Sequence, residues 1–388
     1  MIRVAVATYH WPLDPALARA PDETRIARAL YATPLRTDAS GRVVPGLCTA
    51  WRASGGFRVW TFTCAHARAI AGSLRRVAML RASPGRWLFA GASSIRAPSD
   101  RSLVVRLPFA WRRFPYALTA IAAAPRSAPG PFHLVRGSGS AVELRDGGTR
   151  LVFRRLGRLA TLRAIRRGEV EEAPIPLGDV GDFRSSPALH VRRLLAVDAL
   201  TFRPDAVPRS IRRAYADTAN RGDYQALVAE DEAAAAYGLV GHSNSLDPAA
   251  FRHALSTIRS LPLRRVRIAV PADATLQYGV RLLLAQWREV GLGPTLVPAG
   301  APADAAFVRD AALYPQDEAL LRPLGLDAAL GADDQRPAFD RLDAQLRASA
   351  SVVPISWVAD ARWVSPRLHG WREDVLGDVD YTRVRLGT

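Results

Sequence analysis

Ser243 sits in Gly241-His242-Ser243-Asn244-Ser245, a run that approaches the Gly-x-Ser-x-Gly nucleophile elbow. It stops one residue short, with Ser245 where the elbow needs glycine, and no clear strand-turn-helix signal surrounds it. No pair of carboxylates stands out as an acid/base couple. The seven histidines never occur as His-x-x-x-His, so no protein metal site is expected, although a chelated metal carried as ligand fits the composition. The chain contains no lysine: every one of its 53 basic residues is arginine. That excludes a Walker A loop, a pyridoxal-phosphate Schiff base and the Ser-x-x-Lys pair of penicillin-recognising enzymes. No catalytic residue and no cofactor is assigned, and an enzyme is the least favoured reading.

Non-covalent recognition is better supplied. Tyr9, His10 and Trp11 follow the first apolar strand and offer two aromatic faces and a ring nitrogen. Ends of strands at an interdomain crevice are common ligand positions. Trp11 stacked on a cation would contribute about 0.5–2 kcal/mol. The same three residues would serve equally to close a lobe's core as an aromatic cluster. Cys48 and Cys64 are the only cysteines; they form either one disulfide in an oxidising compartment or two small buried hydrophobes.

These residues need elements to hold them, and 388 residues suffice for two or three compact lobes. Alternating Ile2, Val4 and Val6 predict a strand, followed by a helix over 22–30. Gly55-Gly56 between Trp51 and Phe57-Val59-Trp60-Phe62 predicts a hairpin. Pro45-Gly46 is expected to break an extended segment and start an apolar helix that ends at Trp51. Residues 69–80 read as a helix, 101–109 as a strand, and 161–168 as a helix stopped near Gly168. Beyond about 205 the chain turns helical, including the acidic, alanine-rich run 229–236. Residues 264–271, 278–290 and 291–299 read as a β-α-β unit. The tail from 352 returns to strands that pair back into the first lobe.

The formal charge of +17 is uneven. Residues 1–170 carry 28 arginines against 8 acidic residues, whereas 171–388 carry 25 against 28. A basic half suits a nucleic acid, an anionic membrane or an acidic ligand. The arginines are scattered, however, and no RNP, zinc-finger or basic-helix pattern is present, so no nucleic-acid partner is expected. No run of about 18 apolar residues predicts a membrane span. The N-terminus lacks a signal peptide; either a leader has been removed or the chain is never exported.

The order of signals resembles the family 5 solute-binding proteins of ABC transporters, which bind dipeptides, oligopeptides, nickel complexes and related solutes. Leu30-Tyr31, Leu35, Asp38, Gly41, Val44-Pro45-Gly46-Leu47, Trp51 and Thr61-Phe62 fall in order on that family's signature region. Leu13-Asp14-Pro15, Ser73-Leu74 with Arg76, Gly130-Pro131-Phe132, Gly168-Glu169-Val170 and Ile211-Arg212-Arg213-Ala214 match further motifs across nearly the whole chain. The chain departs after Phe62, where Cys64-Ala65-His66-Ala67-Arg68 replaces a longer Asp-Gly-containing loop, so it resembles a trimmed, divergent member.

The resemblance implies an α/β, two-lobed periplasmic-binding-protein-like fold of type II, peptide-binding subclass, with a discontinuous first lobe. Residues 1–204 plus 345–388 would form lobe I and 205–344 lobe II. It implies a monomer that captures a small peptide or related solute by hinge closure and delivers it to ABC-transporter membrane subunits, at the periplasm or cell surface. A cytoplasmic sensor or partner-binding module is the alternative. In peptide binders of the family an Asp-Tyr pair helps hold the ligand's amino terminus; here Leu313 stands at the expected Asp, leaving Asp310 or Asp317 to substitute. Arg309, Asp310, Tyr314 and Asp317 thus become candidates for the second lobe's cleft edge, where charge-assisted bonds would fix a zwitterionic ligand. Trp357 is a candidate to face the same cleft, or equally to fill the core.

Overall fold

A computed structural model describes every residue except 39, 177, 231, 240–247, 261–263, 317, 322–335 and 388. Ser243 therefore lies outside the described residues. Two strands organise the molecule: Leu189–Phe202, of 14 residues, and Val352–Val364, of 13. At about 3.3 Å per residue each runs roughly 45 Å, enough to cross more than one core. They pair antiparallel from Leu189↔Trp363 to Thr201↔Val352, with register shifts between Arg193 and Val197 and again between Asp198 and Ala199. Such bulges sharpen local twist and re-aim side chains.

On one side of this ribbon lie Ala305–Ala311, antiparallel to it, then the parallel strands Arg265–Val270 and Gly293–Pro298. The last two are joined by the helix Ala274–Glu289, as the β-α-β reading requires. Asp273 caps that helix by accepting from the Leu276 amide at 2.9 Å. Leu276, Val280, Leu283, Leu284 and Trp287 recur at helical spacing and bury against Phe202, Tyr215, Phe307 and Ile355.

On the other side Glu172–Pro174, Ile2–Val6, Thr149–Arg155, Ala141–Asp146 and His133–Gly137 complete a ten-stranded sheet. Val4, Val6, Ile26 and Phe153 form its core together with Val379, Tyr381 and Val384 of the C-terminal tail. A separate four-stranded sheet, in the order Cys48–Ser54, Val59–Cys64, Ser102–Arg106 and Ser94–Ser99, packs one face on the helix Ala67–Met79.

Two expectations are corrected. The segment leading to Trp51 is not a helix but the strand Cys48–Ser54, with Trp51 opposite Phe62. A five-residue apolar run carries too little periodicity to separate the two states, and the neighbouring hairpin strand settles it by supplying backbone partners. The alanine-rich run near 234 is not helical either. The Trp357 amide donates to the Ala234 carbonyl at 2.9 Å, and the Ala236 amide donates to Ile355 at 3.0 Å. Pairing with a long central strand outweighs alanine's helix preference.

Cys48 and Cys64 stand opposite each other in register and form a disulfide. It closes a loop with a sequence separation of 16. Cross-linking a loop of that size contributes about 3 kcal/mol, chiefly by restricting the unfolded chain. Replacing both cysteines by alanine is expected to lower the urea midpoint accordingly. Reductant should shift the wild type towards the variant and leave the variant unmoved.

Candidate functional site

The middle of the ribbon, where the register shifts, carries ionisable groups on both faces. On one face Asp198 lies opposite Arg309 and Ser356. The Arg309 guanidinium forks onto it, with Nε to Oδ1 at 2.7 Å and Nη2 to Oδ2 at 3.0 Å, and the Tyr224 hydroxyl donates to Oδ2 at 2.8 Å. Burial works against the Arg309 charge, but the charge and hydrogen bonds of Asp198 hold its pKa above the ordinary value. Burial and the same carboxylate push the Tyr224 hydroxyl well up, so it stays a donor.

Beside this trio lies a cavity of about 140 Å³, lined by Asp198, Tyr224, Glu230, Glu232, Arg309 and Ser356, with Trp357 and Asp360 further along the same strand. Ile175 and Val180 line it as well. Glu230, at φ +50°, turns its carboxylate to accept the Gly178 amide and, at 3.0 Å, the Val180 amide. Arg184 completes the contact by donating to the Glu230 carbonyl and, at 3.2 Å, to Glu232. The lining holds four carboxylates to one arginine, an excess of negative charge that favours a cationic group. Each of those carboxylates already has a partner, and the Ser356 hydroxyl, opposite Asp198, donates to the Trp357 carbonyl at 2.8 Å instead of to a base.

On the opposite face Asp310, Val197 and Trp357 stand in one cross-strand row. The Arg193 guanidinium lies 4.5 Å from the Trp357 ring centroid. Asp310 is half-buried, and among the described residues its carboxylate has no hydrogen bond or ion pair. Burial without compensation pushes its pKa up to about 7.

Arg309 and Trp357 thus reach the cavity, and Asp310 shares a row with Trp357. The other candidates sit elsewhere. Tyr9 is 2% exposed and its hydroxyl donates to the Ser138 carbonyl at 2.8 Å. Trp11 packs against Gly137 so closely that a Cβ there would meet the ring at 2.0 Å. His10 projects into solvent and touches Glu23 at 2.6 Å. Tyr9 and Trp11 together cap the core around the strand Ile2–Val6, and His10 stays outside it. Tyr314 is buried, its ring 6.0 Å from both Trp87 and Tyr116, and its hydroxyl meets Glu318 at 3.2 Å. Glu318 also accepts from Trp111 at 3.4 Å, so this aromatic cluster ties Tyr314 and residues 318–321 to the four-stranded sheet module. Asp317 lies outside the described residues. Among the described residues no group of His, Cys, Asp or Glu is arranged to hold a metal ion.

Asp198, Tyr224, Glu230 and Asp360 escaped the sequence reading. A signal existed for two of them: Asp198 in "LLAVDALTF" and Asp360 in "WVADARWV" are single carboxylates inside apolar strand runs. A charge in such a run is buried and must be paired.

No family model and no curated protein matches this sequence. Solved structures do. Haemophilus influenzae OppA in complex with the peptide RPPGFSPFR aligns at TM-score 0.82 and 14% identity, covering 100% of this chain and 99% of that one. The Escherichia coli murein tripeptide binding protein MppA aligns at 0.82 and 14%, covering 100% and 98%, whereas its unliganded open form aligns at 0.70. Helicobacter pylori DppA in complex with the peptide STSA aligns at 0.82 and 13%, covering 100% and 98%. This chain has the two-lobed α/β fold of the periplasmic peptide-binding proteins.

Proposed function

We propose that the protein is the solute-binding component of an ABC importer, taking a small peptide or related solute with a free amino group. The observation that carries this reading is Asp310, a half-buried, unpartnered carboxylate in one row with Trp357 at the irregular middle of the ribbon. A carboxylate held there without a partner is costly unless a cation arrives. A ligand ammonium would supply it, and Trp357 would give the adjoining side chain an apolar face. The two lobes, residues 1–204 with 345–388 and residues 205–344, would close about the long strands. Ligand contact with both lobes would then select the closed state for the membrane subunits to recognise.

Two further observations support the reading. The chain aligns better with peptide complexes than with an unliganded open form, and Glu230 and Arg184 already bridge the two proposed lobes. The Cys48–Cys64 bridge suits an oxidising compartment such as the periplasm or cell surface. The chemistry asked of the site is binding alone, without catalysis, and by a monomer.

The test is thermal unfolding against di- to pentapeptides, their N-acetylated counterparts, nickel chelates, sugars and anionic metabolites. Free-amine peptides are expected to raise the midpoint dose-dependently and acetylated ones to fail, because a ligand bound only to the native state stabilises it. Stabilisation by nickel chelates alone would keep the receptor role and discard the amine anchor. Silence across the panel from a folded sample would favour a partner-binding module, a reading the packed Tyr314–Trp87–Trp111 cluster accommodates without ligand.

A further inference from the structure

The four-stranded sheet has one face buried on its helix and the other open. Residues 41–113, which include this sheet, contain 13 arginines and a single acid, Asp100. Three of the arginines find carboxylates outside the segment: Arg42 on Asp38, Arg76 on Asp14 and Arg113 on Glu318. The other ten are exposed, and among the described residues none of them makes an ion pair.

Three of these ten stand on the open face of the sheet. Arg52, Thr61, Val104 and Arg96 stand in one cross-strand row over all four strands, and Arg106 stands beside Val59 and Ser94. Alternation along each strand sends Trp60, Phe62, Leu103 and Val105 to the helix side. The open side is therefore left with arginine, threonine, serine, valine and alanine. It holds no carboxylate and no aromatic ring.

We propose that this open sheet face docks the protein on an anionic phospholipid surface. The occupant follows from charge and shape. Three guanidinium groups without an ion pair, carried by three of the four strands and set among serine and threonine, match an extended array of phosphates, each reachable by a planar fork. Four strands about 4.8 Å apart make a face roughly 15 Å wide, too wide for a DNA major groove of about 12 Å. Stacking of unpaired bases needs aromatic platforms, which the face lacks. A protein partner would want an apolar or aromatic anchor at the centre, also lacking here. The site is separate from the Asp310 row and does not depend on any solute.

The test uses the full chain and vesicles of 70% phosphatidylcholine with 30% phosphatidylglycerol, set against pure phosphatidylcholine, by co-sedimentation at low and high salt. Binding to the anionic vesicles only, weakening steeply with salt, is expected. Arg52→Glu, Arg96→Glu and Arg106→Glu combined should cut the partition coefficient at least about a hundredfold, from roughly fivefold per arginine at such a surface. Its melting midpoint should stay near the wild type, since all three side chains are exposed; should it fall, the corresponding triple glutamine variant takes its place. Reversal of Arg163, Arg166 and Arg167 changes the net charge equally and should cost far less. Equal loss from both triples would reduce the effect to net charge and overturn the assignment of the face. Equal binding to neutral vesicles would overturn it too, as would tighter capture of a 20-base-pair DNA duplex, lost in the sheet-face triple.

Discussion

Arg25→Met is expected to destabilise the protein by about 3–5 kcal/mol, the usual result of removing one partner from a buried charge cluster. Arg25 is fully buried. It donates to Glu172 and Asp360 at 2.7 Å each, to Glu373, and to the Gly377 carbonyl at 2.7 Å. Arg362 approaches Glu172 at 2.8 Å and Asp22 at 3.8 Å, and Tyr381 donates to Glu172 at 2.8 Å. Four carboxylates thus face two guanidinium groups, and protonation restores the balance. Burial and the neighbouring Asp360 push Glu373 up, and burial raises Asp22. Burial alone would raise Asp360 as well, but Arg362 and Arg25 hold it below the ordinary range. Without Arg25, Asp360 loses one of the two guanidinium groups that hold it low, and its folded-state pKa rises. The folded variant then binds more protons than its unfolded chain, so its deficit against the wild type grows from pH 5 to pH 8. Urea unfolding at the two pH values measures this. A deficit below about 1 kcal/mol that is independent of pH would show that the cluster does not hold the C-terminal tail on the ribbon.

The same cluster explains what the sequence could and could not disclose. Strands with clean alternation or dense apolar content, such as Ile2–Val6 and Arg265–Val270, are written in local pattern, as is the capped helix Ala274–Glu289. The strand at Trp51 and the extended run at Ala234–Ala236 are not, because their partners lie across the sheet rather than along the chain. Site residues divide in the same way. Arg309 and Asp310 became candidates through a resemblance, and Trp357 as a tryptophan within its own apolar strand run. Asp198, Tyr224 and Glu230 become a site only through register shifts and a loop that reaches Gly178, contacts without a local signature. Tyr9 and Trp11 show the converse: attractive side chains at a strand end, absorbed by the core because Gly137 lets the indole in.

Asp310→Asn should invert a pH trend. In the folded wild type the Asp310 pKa is pushed up to about 7 by burial, against an ordinary aspartate value of about 3.9 in the unfolded chain. Between those two values the folded carboxyl keeps its proton while the unfolded one has lost it, so stability falls as pH rises through that window and levels off above pH 7. At about 1.4 kcal/mol per unit the full effect would approach 4 kcal/mol, and water reaching a half-buried group trims it to about 2–4. Asparagine does not titrate. The variant should therefore match or trail the wild type at pH 4 and exceed it by roughly that amount at pH 8, read from urea midpoints of both proteins across the range. A ligand ammonium would erase the wild type's penalty by pairing with the carboxylate, so a free-amine ligand should bind the wild type more tightly at pH 8 than at pH 6. For the asparagine variant the affinity should be weaker and nearly flat with pH. Parallel pH curves for the two proteins would remove Asp310 from the site; diverging curves with unchanged ligand affinity would leave the carboxylate strained but assign the amine to another group.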